Sequence, residues 1–317
     1  IVAQLEPRRS QTLLREESNP ALLARQIHYL LNDCEKLGLV PFSVLARYAF
    51  IAVALVRSLG ETNLFTEQEC ETVFRSIPSI ATQMSQDLAR VGSGQLTRDD
   101  FLQLYGHVRP SSYDITSPNY ASAPELYLVR QGRATKEHVE PAQSLLDELF
   151  ESRTDAIDQL LIKQGFQART KHLREFVRRA IPGREWAKFE FMKNTNAALE
   201  LTAAFGEQLG ISHEEMSFLP VERILHGVTD SATAAMEAQL KREIGFAMKR
   251  WQLTCSIRLP HLVTSSKDVD SFHVEEWSPN FVSRQRVIAP PVILDDMSGT
   301  DGLDGKIVLV RAADPGY

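Results

Sequence analysis

His107, Arg109, Tyr113 and Asp114 lie close together in Gly106-His107-Val108-Arg109-Pro110-Ser111-Ser112-Tyr113-Asp114-Ile115-Thr116-Ser117-Pro118-Asn119-Tyr120, a polar stretch in a mostly helical sequence. An imidazole placed here could take the proton of an acceptor hydroxyl or contact a phosphate. A guanidinium could grip a carboxylate or phosphate at two points. Each residue also has a plainer role open to it. His107 ends a helix, where it meets the negative end of the dipole, and Arg109 could pin the loop through Asp114. Asp114, Thr116 and Ser117 have the side chains that bond their own local amides in turns.

A second group, Arg184, Glu185 and Lys188, opens a helix. Glu185 and Lys188 have the spacing of an ordinary intrahelical pair, so a solvated face accounts for them. The runs Trp186-Phe189-Phe191-Met192 and Phe246-Met248-Trp251 read as core packing, with an apolar acceptor pocket as the other use of such residues. His213 belongs to a helix cap and His226 to a last helical turn. His273, Glu275 and Glu276 lack the spacing of a metal site. Gly92-Ser93-Gly94 lacks the lysine of a phosphate-binding loop.

The elements that must position these groups are helices. Residues 1–18 read as a linker or a strand-turn lead-in. Asn19-Pro20 is a helix start, and Gly38 the matching stop. Pro41 opens a second helix to about Leu59, apolar on most sides and so expected at the centre of the core. Thr66-Glu67-Gln68-Glu69 is a capping box for a helix to about Ile77. A further helix follows Pro78 and ends at Gly92-Ser93-Gly94, and Thr97 caps Arg98 to Tyr105. Gly106 to Tyr127 has three prolines and no helical period, a length that is uncommon unless functional or disordered.

Helical signals return after Pro141, at Ala142 to Glu151, Asp155 to Gln164 and Gln167 to Ala180, the last broken by Pro182-Gly183. Arg184 to Leu209 follows, then a capping box at Ser212-His213-Glu214-Glu215, a short helix from Pro220 and a long one from Thr229 to Cys255. Arg258-Leu259-Pro260 ends it. Beyond a boundary near 270–280 the pattern turns to short β-type runs, Gln285 to Ala289, Val292 to Leu294 and Lys306 to Arg311, separated by turn residues. The fold class is therefore mainly α, with a multi-helix region over 19–275 and a small, incomplete β-rich segment over 276–317. About forty residues is near the lower limit for independent folding, so that segment must lean on other structure.

The chain has 317 residues, is 43% hydrophobic, and carries a net charge of −6 with a pI near 5.8. That balance gives no electrostatic reason for a nucleic-acid partner. The basic run Lys171 to Arg179 sits beside acids at helical spacing and reads as a solvated face. Cys34, Cys70 and Cys255 are odd in number and widely spaced; they suit a reducing cytoplasm and read as buried thiols. No zinc spacing and no signal peptide are visible. The uninterrupted apolar stretch Tyr48 to Val56 is far short of the roughly 20 residues that a bilayer needs, so no membrane span is expected.

Several of these blocks resemble, in order, the middle of the phosphoenolpyruvate-utilising phosphotransferases, which include phosphoenolpyruvate synthase, pyruvate phosphate dikinase and rifampin phosphotransferase. The most specific is Phe101-Leu102-Gln103-Leu104-Tyr105-Gly106-His107 followed by Asp114-Ile115-Thr116-Ser117-Pro118. Arg184-Glu185-Trp186-Ala187-Lys188-Phe189, Phe218 to Leu225, Arg258-Leu259-Pro260 and the C-terminal strand running into Asp314-Pro315-Gly316-Tyr317 also fit, so the likeness spans about residues 40–317.

The resemblance implies a helical central domain that binds a small-molecule acceptor, followed by the first strands of a swivelling phosphohistidine domain. An ATP-grasp domain of the same parent chain would complete the relay, with ATP and Mg²⁺ as the parent's cofactors. The sequence holds no Gly-rich turn with Ser/Thr-His, so it is expected to be a fragment that ends before the relay histidine and is inactive alone. The resemblance implies His107, Arg109, Tyr113 and Asp114 as acceptor-facing residues, with Arg184 and Lys188 behind them. The alternative is a helical scaffold or docking module without chemistry. Burial separates the two: a functional loop exposes His107 and Arg109 in a cleft, whereas a brace buries and pairs them.

Overall fold

The computed structural model describes residues 1–14, 19–128, 143–227, 233–257, 259–260, 262–270, 286–294 and 303–310. The chain is mainly helical, with a two-stranded sheet near its C-terminus. It divides into two units, 1–205 and 206–315.

The first unit opens with a 3₁₀ turn at Val2–Gln4 and helix α1 at Leu5–Leu13. The segment read as a linker or strand-turn lead-in over 1–18 is thus helical from Val2 to Leu13, with Val2 and Leu5 buried against the rest of the unit. Asn19 then caps α2 (Pro20–Asp33), accepting from the Ala21 amide.

The stop expected at Gly38 does not occur. A π-helical segment, Cys34–Leu39, carries α2 directly into α3 (Val40–Glu61). The Val40 amide reaches back to the Glu35 carbonyl, and the widened turn accommodates Pro41, which has no amide to give. Gly38 serves close packing: a Cβ there would lie 2.5 Å from Cβ of Phe191.

The run Pro20–Glu61 is long and apolar enough to cross a membrane, and 17% of its most apolar part is buried. Ala49, Ala52, Val56 and Leu59 turn inward, while Val40, Val44, Tyr48, Phe50 and Ile51 are exposed. The central burial expected for α3 therefore holds for one face only.

Capped helices follow: α4 (Glu67–Ser76) with its Thr66/Glu69 capping box, α5 (Ile80–Gly92) capped by Ser79, and α6 (Arg98–Tyr105) capped by Thr97. A short α7 (Pro124–Leu128), α8 (Gln143–Glu151) and α9 (Thr154–Lys163) lead to α10 (Thr170–Gln208). Helix α10 runs unbroken through Pro182-Gly183, where the sequence predicts a break. Residues on both sides of the proline are anchored, and packing on that scale outweighs the roughly 3 kcal/mol penalty of an interior proline.

That anchoring makes α10 the spine of the first unit. Leu173, Val177 and Ala180 enter a core with α3, α4, α8 and α9, in which Phe65 meets Phe150 edge-to-face at 5.4 Å. Ala187, Phe191 and Met192 pack with Val2, Leu5 and Cys34. Phe189 leans on a third cluster made by Phe101, Tyr105 and Tyr120. Glu185 makes no helix-internal pair with Lys188 but accepts from the Ile80 amide, closing the start of α5. The basic run at the start of α10 is ion-paired: Arg178 with Asp147, Arg174 with Glu151, and Arg179 with Glu175.

In the second unit, α11 (His213–Met216), with its Ser212/Glu215 capping box, precedes α12 (Val221–Gly227) and α13 (Thr233–Cys255). Leu240 and Ile244 of α13 are buried and Arg223 bridges to Glu243. Phe246 and Trp251, expected in the core, are exposed, as is Cys255, while Cys34 and Cys70 are buried. The inward face of α13 ends at Ile244, and no described residue covers the turns that follow. A short α14 (Lys267–Asp270) precedes strands β1 (Pro291–Leu294) and β2 (Ile307–Val310), which pair in parallel with Val292 opposite Val308. The expected boundary at 270–280 falls mostly outside the described residues, as do Pro141, His273, Glu275, Glu276, Gln285, Arg258 and the C-terminal Asp314-Pro315-Gly316-Tyr317.

Candidate functional site

The stretch from Gly106 to Ala121 forms a loop whose two ends are zipped together. The Ala121 amide donates to the Gly106 carbonyl at 3.0 Å and the Tyr120 amide to the Val108 carbonyl at 2.9 Å. A Cβ on Gly106 would lie 2.3 Å from the Leu102 carbonyl oxygen and 3.0 Å from Ala121, so the closure needs glycine. Tyr120 stacks on Tyr127 at 4.2 Å, and the Tyr127 hydroxyl donates to the Pro118 carbonyl at 2.7 Å. Compact loops with adjacent ends and their own internal packing are frequently functional.

Inside the loop, Asp114 behaves as turn chemistry predicts. Its Oδ1 accepts from the Thr116 amide at 2.8 Å and from the Thr116 hydroxyl at 2.7 Å. Ser117 donates its hydroxyl to the Pro110 carbonyl at 2.6 Å. Ser111 takes a φ of +53°, a left-handed conformation that local bonding must hold in place.

Arg109 is the keystone, and it is 4% exposed. Its Nη1 donates to the Asp114 carbonyl at 3.1 Å and to the Ser117 carbonyl at 3.0 Å. Its Nη2 donates to Asn196 Oδ1 at 2.5 Å and to Glu200 Oε1 at 2.6 Å, both on α10. Asn119 completes the clasp by donating to the same two oxygens at 3.0 and 2.9 Å. The guanidinium therefore ties the loop to itself and to the spine at once, with Glu200 as its counter-ion. One nitrogen, Arg109 Nε, is buried without a hydrogen-bond partner.

His107 lies next to this clasp. Its ring meets Phe189 edge-on at 4.6 Å, and its Nε2 is buried with no hydrogen-bond partner. Burial, reinforced by the nearby charges of Lys193 and Arg9, pushes its pKa down to about 3, against a hydrogen bond to the Phe189 backbone that favours the charged form. The imidazole is therefore neutral at physiological pH. A group so weakly basic is far from the match between pKa and working pH that general base catalysis favours.

The same shift has a measurable consequence. The folded pKa lies below the ordinary 6.5, so the unfolded chain binds the extra proton first as pH falls. The contribution to stability is complete above about pH 6.5 and is lost on the way down to about pH 3, by up to about 1.4 kcal/mol per pH unit. His107→Gln should flatten the acid side of the stability curve by that difference, measured as urea midpoints between pH 7 and pH 4. Parallel curves for the two proteins would contradict the burial of the ring.

The other sequence-predicted residues are more open. Tyr113 is 65% exposed at the tip of the loop. Arg184 is exposed and lies over the Phe50 ring of α3 at 5.6 Å, and Lys188 is exposed on α10. His107, Arg109, Tyr113 and Asp114 thus lie in one loop, whereas Arg184 and Lys188 are exposed on α10, roughly two to four turns before the Asn196 and Glu200 that clasp the loop, with Arg184 turned to Phe50 of α3. Asn119, Asn196 and Glu200 were not singled out from the sequence. The available signal was Asn194-Thr195-Asn196, poor helix formers in the interior of a long helix. Among the described residues, no three His, Cys, Asp or Glu side chains gather as a metal site.

Searches of protein-family models, curated proteins and solved structures return no match to this chain.

Proposed function

We propose that this chain is the acceptor-binding central part of a phosphoenolpyruvate synthase-like phosphotransferase, in which the relay histidine and the ATP-grasp domain with its ATP and Mg²⁺ belong to the rest of the parent. The observation that supports this reading most is the shape of the Gly106–Ala121 loop, clasped by Arg109 to Asn196 and Glu200 while Tyr113 projects outward. Phosphoryl transfer depends mainly on positioning and charge stabilisation, and a fixed loop offering side chains to an acceptor suits that need. In this reading Arg109 and His107 hold the loop, and Tyr113 with the open side of Asp114 meets the acceptor.

A second reading has its own observation. Arg109 is buried and internally paired and the His107 Nε2 is buried, so the burial criterion falls on the side of a brace in a scaffold without chemistry, and the phosphotransferase reading keeps only Tyr113 and Asp114 as acceptor-facing residues.

The test is the reading frame past Tyr317 and before Ile1, followed by labelling the intact product with ATP carrying a radioactive β-phosphate. A Gly-rich turn with Ser/Thr-His, an ATP-grasp region and an acid-labile phosphohistidine support the relay. A stop codon directly after Tyr317 leaves the scaffold.

A further inference from the structure

We infer that α1 is a strap on the Gly106–Ala121 loop: its docking on α10 fixes the helical turn to which the loop is clasped, and its release loosens the loop.

The shared element is the turn Asn194-Thr195-Asn196, three poor helix formers in a row inside α10. Contacts from outside the helix must therefore hold it, and they come from two sides. Asn194 and Asn196 point about 200° apart on a helix of 3.6 residues per turn. Asn194 is fully buried. Its Oδ1 accepts from Arg9 Nη1 of α1 at 2.9 Å, and its Nδ2 donates to the Leu30 carbonyl of α2 at 3.4 Å. On the other side Asn196, with Glu200 one turn further on, accepts from Arg109 and Asn119 of the loop.

Helix α1 is the part able to move. It has nine residues, and only Leu5 and Arg9 among them are buried. A helix of that length is marginal by itself, so its order depends on docking. Elements with few buried contacts also open before the rest of a fold. Arg9 is the polar half of the docking, 8% exposed, with Glu6 paired to its other terminal nitrogen. Leu5 is the apolar half and packs with Phe191, which lies less than one turn before Asn194.

When α1 leaves, Asn194 keeps the Leu30 carbonyl and loses its charged donor. The turn is then held from the α2 side alone, and the Asn196 and Glu200 oxygens no longer stand at fixed positions for Arg109. The coupling runs through α10 and does not depend on the phosphotransferase reading.

The test is hydrogen exchange at the Tyr120 and Ala121 amides of the full chain, corrected for the change in global stability that urea denaturation gives. In Arg9→Met and in Leu5→Ala these amides should exchange at least about fivefold faster, the low end of coupling between sites. Leu161→Ala weakens the other core of the unit, which α1 does not join, and should leave the corrected rates unchanged. Unchanged loop exchange in both α1 variants would reduce α1 to packing and overturn the strap. Equal acceleration in Leu161→Ala would overturn it as well, because the loop would then follow any loosening of the unit.

Discussion

Arg109→Met should destabilise the chain by about 3 kcal/mol, because breaking a buried ion pair by removing one partner strands the groups that remain. The stranded groups are the Asp114 and Ser117 carbonyls and the Asn196 and Glu200 side-chain oxygens. Glu200 is 50% exposed and can recover some hydration, which holds the effect near the low end of such losses. Arg109→Lys should recover only part of it, since a single ammonium cannot serve both the loop carbonyls and the α10 oxygens. Urea denaturation gives the energies, and hydrogen exchange at Tyr120 and Ala121 reports whether the loop ends have opened. A loss below about 0.5 kcal/mol, with unchanged exchange, would mean that Arg109 does not hold the loop.

Gly38→Val should be equally damaging for a different reason. The added Cβ would overlap Cβ of Phe191, which is fixed on α10 and 2% exposed. Overpacking of this kind costs typically 1–3 kcal/mol, and a β-branched residue leaves the fewest ways to relieve it. Phe191→Ala alone should cost about 3–5 kcal/mol from the lost burial and the cavity left behind. The two changes share one space, so the double variant should be at least about 1 kcal/mol more stable than the two losses added together. Strict additivity would show that Gly38 and Phe191 are not in contact.

The helix starts were legible because capping is local chemistry. Thr66 with Glu69, Ser212 with Glu215, and Asn19 before Pro20 are capped as the sequence predicts. Gly94 and Gly210 take the positive φ expected of residues that end helices. The misread punctuation was tertiary. Gly38 and Pro182-Gly183 look like stops in the chain, yet both lie inside helices, Gly38 for its closeness to Phe191 and Pro182 on a spine anchored on both sides.

The candidate site divides in the same way. His107, Arg109, Tyr113 and Asp114 stood out as chemical types within one polar stretch. Their partners Asn196 and Glu200 lie more than eighty residues away, and no local pattern joins them to Arg109. Exposure was also beyond local reading: nothing in the amphipathic run of α13 marks Ile244 as the last buried position before Phe246 and Trp251 turn outward.

The central claim is that the loop presents an acceptor to a phosphorylated histidine supplied by the rest of the parent. Its most direct test separates the two half-reactions in the intact parent protein, comparing wild type with Tyr113→Phe and Asp114→Asn. The account predicts that ATP still labels the relay histidine at the wild-type rate in both variants, while consumption of that phosphohistidine by the acceptor slows at least tenfold. Unchanged consumption in both would contradict it and leave the loop as a brace.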